Sequence, residues 1–331
     1  MNKISFEKYK TIDAINYSLL KRIADKSRFY GSVYKDVDSP AMNLGTIVDD
    51  LTIPNEDENK YFITKYEYPS ASTLVLAKEV VKECMDKDID YKTLLKLDKK
   101  EDFIFKVIEK NKLWNNSKKE TKKTKYEDNK SFFNYIEGKL SKSLSISPNI
   151  WEKANELSNI LKIHNYTKNI FNTGYNQFTY IFELAEIKYK VRLDKLIIDD
   201  FNKVISSFDL KTGELFSNSF EVSFYRNRYY LQQALYQIAV LHFLENNYPD
   251  YQLDNFKFIY ISTTEPEPYP VIWEMSEKWT ELGYNGFYRG SKYYKGIKEL
   301  TDEYLFYQKH SNKIDNRVFK SGGTIKLSLP T

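Results

Sequence analysis

From Phe178 to Gly213 the chain alternates apolar and polar residues at period two through three successive segments. From Tyr225 to Glu245 the spacing changes to three and four. A period of two belongs to strands and a period near 3.6 to helices, so this one stretch commits the chain to both. FTYIFELAEIKYKVRLDKLIID reads as two antiparallel strands joined by a tight turn at Glu183–Glu186, and KVISSFDLKTG as a third strand closed by Gly213. A long helix follows (YRNRYYLQQALYQIAVLHFLE), then two strands (NFKFIYISTTE and PYPVIWEM), then a closing helix from about Ser276 to Tyr307. Strands, a helix and further strands specify an α/β chain with a mixed sheet.

Upstream of this texture the pattern is helical. Ser18 to Ala24 forms one apolar-striped helix ended by a polar SRFYGS turn, and Ala41 to Leu51 (AMNLGTIVDDL) forms a second after Pro40. Residues from about 55 to 165 are charged and mostly helical, with a helix start expected at Ser147/Pro148. The basic run SKKETKKTK at 117–125 reads as a solvated loop, or alternatively as an arm that contacts phosphates. The expected division is a helical region at 1–165, part of the same domain, and a sheet-bearing core at 166–331. No internal repeat is visible.

Composition excludes whole classes of chemistry. One Cys (Cys84) rules out a disulfide framework, a cysteine zinc site and a protein-held iron–sulfur cluster within one chain. His164, His242 and His310 never stand at HExxH spacing, and no GxSxG elbow, GxGxxG fingerprint or phosphate-binding GxxxxGK[ST] loop occurs. The net charge of +4, from 50 basic and 46 acidic residues, does not by itself mark a nucleic-acid or membrane-surface binder. No apolar run approaches a membrane span, and MNKISFEKYK carries charge where a secretory leader would be apolar. The expectation is a soluble cytoplasmic protein with no membrane partner. Any catalysis must rest on carboxylates and lysines.

Those residues gather on neighbouring strands. Asp194 lies on the second strand and Asp209 on the third, and opposed side chains in an antiparallel pair stand ~5 Å apart. Two carboxylates so close repel unless they share a divalent cation. Lys211 falls two residues beyond Asp209 and therefore on the same face, with Leu210 pointing the other way into the core. Two acids and an ammonium suit metal-assisted phosphodiester hydrolysis: the acids hold Mg²⁺, and the lysine orients or helps deprotonate the attacking water.

The order of Asp194, turn, apolar strand, Asp209-x-Lys211 and helix resembles the PD-(D/E)xK nuclease superfamily. Gln232-x-x-x-Tyr236 on the helix matches the QxxxY motif of its RecB-like branch. NYSLLKRIADKSRFY with NLGTIVDDL, YISTTEPEPYPVIWEM and FYRGSKYYKGIKEL resemble segments of phage and prophage RecE-type (exonuclease VIII-like) and lambda-type recombination exonucleases. Together these cover residues 14–54 and 170–330. The resemblance implies a restriction-endonuclease-like fold, a central mixed sheet flanked by helices. It implies a Mg²⁺-dependent exonuclease, Mn²⁺ substituting, that degrades linear duplex DNA from its ends, 5′ to 3′. Asp194, Asp209 and the Leu210 backbone carbonyl would ligate the cation, with Lys211 beside the attacking water. Gln232 and Tyr236 would face the scissile phosphate, and Thr212 would shape the strand end beside DNA. Implied partners are a homo-oligomeric ring of this chain and a single-strand annealing protein. Lys118, Lys119, Lys122 and Lys123 are candidates to hold the duplex backbone.

Two positions depart from the pattern. The family's histidine falls on Asp49, a carboxylate that suits Mg²⁺, with Asp50 as an off-register competitor. The Glu that usually opens the first strand falls on Gln177, which is neutral. This second departure favours an alternative, a weakened or non-catalytic DNA-binding relative. An iron–sulfur nuclease needs about four cysteines and is excluded, and a site-specific restriction endonuclease leaves the N-terminal resemblance unexplained.

Overall fold

The computed structural model describes residues 4–25, 40–54, 61–64, 69–97, 100–127, 129–141 and 144–310; the SRFYGS turn lies outside them. The chain divides into two compact units, one made of Met1–Asp57 with Leu157–Thr331, the other of Glu58–Glu156. The N-terminal segments thus fall in one unit with the sheet.

The first unit opens with helices α1 (Phe6–Thr11), α2 (Tyr17–Ala24) and α3 (Pro40–Thr52). Helix α2 starts where Asn16 Oδ1 accepts the Leu19 N–H at 2.9 Å, and it buries Leu20 and Ile23 three residues apart. Three strands follow: β1 (Tyr175–Leu184), β2 (Ile187–Asp199) and β3 (Val204–Gly213). The turn between β1 and β2 is Ala185–Glu186, both residues left-handed at φ 50° and 63°, as a tight hairpin demands. Next come helices α4 (Phe220–Arg226) and α5 (Tyr229–Asn247), then strands β4 (Gln252–Leu253), β5 (Phe256–Ser262) and β6 (Val271–Met275).

These strands form one six-stranded mixed sheet in the order β1-β2-β3-β5-β6, with β4 also paired to β3. The pairings β1–β2, β2–β3 and β5–β6 are antiparallel, whereas β3 pairs β5 in parallel from Phe208↔Lys257 to Gly213↔Ser262. Parallel neighbours need a long crossover, which α4 and α5 supply. The chain is thus α/β with a central mixed sheet flanked by helices, as its periodicities require. The main core joins Leu20 and Ile23 of α2, Val191, Leu193 and Leu196 of β2, and Leu231, Leu235 and Val240 of α5. The start of the chain is tied to β2 twice. The Ile15 N–H donates to Lys188 O and its carbonyl accepts from Lys190 N, each at 2.9 Å. The Lys190 ammonium donates to the carbonyls of Tyr9 (2.8 Å) and Ile12 (2.7 Å) at the end of α1.

The closing helix expected from Ser276 to Tyr307 is two helices, α6 (Lys278–Asn285) and α7 (Ile297–His310). Gly286, at φ 89°, stops the first, and Phe287–Arg289 pairs antiparallel with Lys292–Tyr294 as a hairpin turned at Gly290. The alternating aromatics of FYRGSKYY favour that hairpin over helix, and Phe287 stacks on Tyr294 at 5.1 Å.

The second unit is helical, built from Ala71–Asp86, Tyr91–Lys96, Lys100–Lys110, Lys119–Thr124 and Lys130–Leu140, with a parallel strand pair Tyr61–Ile63/Leu144–Ile146. Leu76, Val80, Ile104, Ile108, Phe132 and Ile136 are its buried centre. The basic run expected as a loop contains a short helix, because Lys123 bridges Glu101 (2.8 Å) and Glu127 (3.2 Å) and fixes the segment. The helix Pro148–Ile163 begins where expected, with Ser147 Oγ accepting the Ile150 N–H at 3.4 Å. Among the described residues no helix is long and apolar enough to cross a membrane.

Helix α6 crosses α5 at Gly283, where an added Cβ would lie 2.4 Å from the Tyr230 carbonyl and 2.5 Å from the Ala234 Cβ. Gly283→Ala should therefore destabilise the protein by about 1–3 kcal/mol, the scale of overpacking. Urea unfolding followed by circular dichroism reads this directly; an unchanged midpoint would show that the helices can part at no cost.

Candidate active site

Strand β3 carries the chemistry on its odd-numbered residues, which face α5. Ser207 is 3.5 Å from Gln237 Oε1, and Asp209 Oδ1 accepts from Gln232 Nε2 at 2.7 Å. The Lys211 ammonium forms an ion pair with Asp209 Oδ2 and lies 5.1 Å from the centre of the Tyr229 ring. Asp209 is only 2% exposed. Leu210 is buried on the opposite face, as expected, but the larger core lies on the Asp209 side. Helix α3 packs along β3, where a Cβ on Gly45 would come within 2.8 Å of Thr212 Oγ1. Thr212 is thus a packing residue at the strand end.

Asp194 stands where the sheet comes apart. The β2–β3 ladder runs from Asp199↔Val204 to Lys195↔Phe208 and stops, so Asp194 and Asp209 would be the next pair. Freed from the ladder, Asp194 Oδ2 accepts the Leu210 N–H at 2.7 Å. Leu210 thus enters the site through its amide. The side-chain phase of β2 also slips here. Leu193 and Leu196 both belong to the main core, three residues apart, which a regular strand cannot achieve.

Asp49 on α3 joins them. Its charge is felt by Asp209 and Asp194, and Gln177 Nε2 lies 3.5 Å from its Oδ2. Asp50, the alternative, contributes to Asp49 as a like-charged neighbour. The other side of the Gln177 amide is held by Arg192, whose Nε donates to Oε1 at 2.9 Å. Arg192 was not singled out from the sequence. Its signal was there: Lys190, Arg192 and Asp194 alternate with apolar Tyr189, Val191 and Leu193.

Three carboxyls and one ammonium in a poorly solvated place distort each other. Burial pushes Asp49 up to about 7, with the charges of Asp209 and Asp50 adding to it and those of Lys211 and Arg192 opposing. Burial, then Asp209 and Asp49, holds Asp194 well above the carboxylate range. Asp209 is raised by burial against the pull of Lys211 and a hydrogen bond shared with Asp194. Lys211 would be lowered by its burial, but Asp209, Tyr229 and Asp194 outweigh this and keep it an ammonium. Tyr236, 8% exposed and one turn beyond Gln232, packs on Phe256 at 6.1 Å and holds its proton tightly, first through burial and then through Asp209.

The oxygen donors suit a hard divalent cation. Asp49 Oδ1 and Gln232 Oε1 are buried without a hydrogen-bond partner, as acceptors awaiting a positive ligand would be. Among the described residues no three acidic, histidine or cysteine groups are arranged to grip an ion, and Asp209 is engaged by Lys211 and Gln232. The donor set fits; Asp209 must exchange partners to use it.

The structure thus brings Asp49, Asp194, Asp209, Lys211, Gln232 and Tyr236 into one neighbourhood. Lys118, Lys119, Lys122 and Lys123 belong to the other unit, where Lys123 is already paired and Lys119 lies 5.1 Å from the Phe105 ring centre. No family model and no curated protein matches the chain. It is similar over 89% of its length to 89% of a solved "Putative exonuclease" from Eubacterium rectale, at 13% identity and a TM-score of 0.32.

An acid whose folded pKa lies above its unfolded value favours folding while protonated. For Asp49 that contribution is complete below about 3.8 and gone once pH has risen through about 7. Asp49→Asn is neutral throughout. In a chelator its melting temperature relative to the parent should therefore climb between about pH 4 and 7 and level off above; a flat difference would place Asp49 outside the cluster.

Proposed function

We propose that this chain is a divalent-cation-dependent deoxyribonuclease of the PD-(D/E)xK kind, acting as an exonuclease on the ends of linear duplex DNA. The observation that carries the reading is the meeting of Asp194, Asp209 and Lys211 at the point where β2 and β3 part, with Asp49 and Gln232 beside them. Asp49, Asp194, Asp209 and the Leu210 carbonyl would hold Mg²⁺ or Mn²⁺. Such a cation, when bound, polarises the scissile phosphate and acidifies a water. Lys211, kept protonated by its neighbours, is a donor and not a base. Its role is to orient the attacking water and to offset charge on the phosphate. Gln232 binds Asp209 through its nitrogen and keeps its oxygen free to accept from that water. Tyr236, at pH 7 a neutral phenol, holds the helix against the sheet while facing the acids.

A second reading has its own observation. Asp209 is already engaged by the Lys211 ion pair and the Gln232 hydrogen bond, and Gln177 is neutral, which suits a DNA-binding relative that no longer cuts. The two separate in one assay. Asp209→Asn should abolish degradation of linear duplex, and Lys211→Ala should slow it by roughly 10²-fold while binding in Ca²⁺ persists. Closed circular duplex should survive. Duplex binding without cleavage at any Mg²⁺ or Mn²⁺ concentration would establish the second reading, and equal cutting of circle and linear DNA would end the exonuclease one.

Duplex contact by the basic helix depends on Lys118, Lys119 and Lys122, since Lys123 is spent on Glu101 and Glu127. Neutralising those three should flatten the salt dependence of DNA binding by up to about three units of slope. A slope that does not move excludes the contact.

A further inference from the structure

We infer that Gln177 is a positioning residue for two of the acids at once: its left-handed backbone releases Asp194 from the β1–β2 ladder, and its amide fixes Asp49. The inference rests on the reading of the acids as a cation site and deepens it. Gln177 has φ 48° within a strand, a conformation that residues with a Cβ avoid. Strands β1 and β2 pair in a constant register from Tyr175↔Leu196 to Leu184↔Ile187, and the pair they skip is Gln177 with Asp194. The irregularity therefore sits opposite the acid that turns away to accept the Leu210 N–H. At the side chain, Arg192 settles the orientation of the amide. A guanidinium has donors only, so the amide oxygen faces it (2.9 Å) and the amide nitrogen faces Asp49 (3.5 Å). A glutamate could accept from Arg192 but would offer Asp49 a second negative charge instead of a donor.

The two roles can be separated by substitution. Gln177→Gly keeps the backbone conformation and deletes the amide, whereas Gln177→Ala deletes the amide and resists the conformation as well. Gln177→Asn, which tolerates the left-handed region, tests the length of the bridge. Mn²⁺ alone is titrated calorimetrically into the full metal-free chain, with thermal melts as the folding control. Gln177→Gly should melt with the parent and bind Mn²⁺ about tenfold more weakly, the scale on which partners of metal ligands act. Gln177→Ala should bind more weakly still. In an Asp49→Ala background Gln177→Gly should cost nothing further, because the amide works through Asp49.

Asp209→Asn separates this inference from the one beneath it. If Asp209→Asn binds Mn²⁺ as the parent does, the cation-site reading fails and this one with it. If Asp209→Asn loses Mn²⁺ but Gln177→Gly titrates like the parent, the positioning role alone is overturned. Multiplying effects of Gln177→Gly and Asp49→Ala would overturn the route through Asp49, and equal affinities of the Gly and Ala variants would overturn the backbone role.

Discussion

The ion pair between Lys211 and Asp209 governs this structure. Asp209 is buried under α5 on a strand of the central sheet, where an ionised carboxylate cannot stand alone. Breaking such a pair costs about 3–5 kcal/mol because one charge is left uncompensated. Lys211 meets that need, yet two further acids, Asp194 and Asp49, press on the same ammonium. The charges do not balance. Asp49, pushed up to about 7, and Asp194, also raised, each hold a proton more tightly than a free carboxyl, which eases the excess in the isolated chain.

Much of the surrounding architecture follows from housing this cluster. Helix α5 is apolar on most of its surface, and each of its buried glutamines donates to a neighbour, although Gln232 Oε1 and Gln233 Oε1 have no hydrogen-bond partner. Gln232 donates to Asp209, Gln233 to Thr280 Oγ1 at 2.9 Å, and Gln237 to the Asp254 carbonyl at 2.8 Å. A buried amide without a partner is costly, so these contacts fix the rotation of α5 over the sheet. The crossover that makes β3 and β5 parallel puts α5 over Asp209. The early end of the β2–β3 ladder leaves Asp194 free to bend toward Leu210.

The sequence displayed the regular parts of this arrangement and concealed the irregular ones. Alternation from Phe178 to Gly213 located three strands and their turn, although Ala185–Glu186 lacks the usual Asn-Gly signal. Strand spacing alone placed Lys211 with Asp209. It could not show the phase slip between Leu193 and Leu196, because a periodic reading assumes one phase along a strand. The gap at Gln177 escaped for a related reason: glutamine carries no mark of a positive φ as glycine would. The hairpin between α6 and α7 was hidden by apolar spacing that suits either period, and only Gly286 and Gly290 hinted at it. Asp49 came into view through resemblance, since a lone acid on a helix has no chemistry of its own until a sheet brings others to it.

The two departures from the resembled pattern take on a common meaning once Gln177 and Asp49 are seen in contact. A glutamate with a neutral histidine offers one ionisable carboxyl; so does a glutamine with an aspartate. Relative to the resembled pattern, the acid stands on helix α3 instead of strand β1, and the number of acids is the same. Arg192 makes the exchange workable, because it binds the amide oxygen and leaves the nitrogen to serve the acid. Had both positions been acidic, four carboxyls would have shared one ammonium and one guanidinium, and repulsion would have driven one of them out or kept it protonated. Neutrality at Gln177 is therefore a condition for acidity at Asp49. On this physical ground the glutamine is consistent with the proposed cation site.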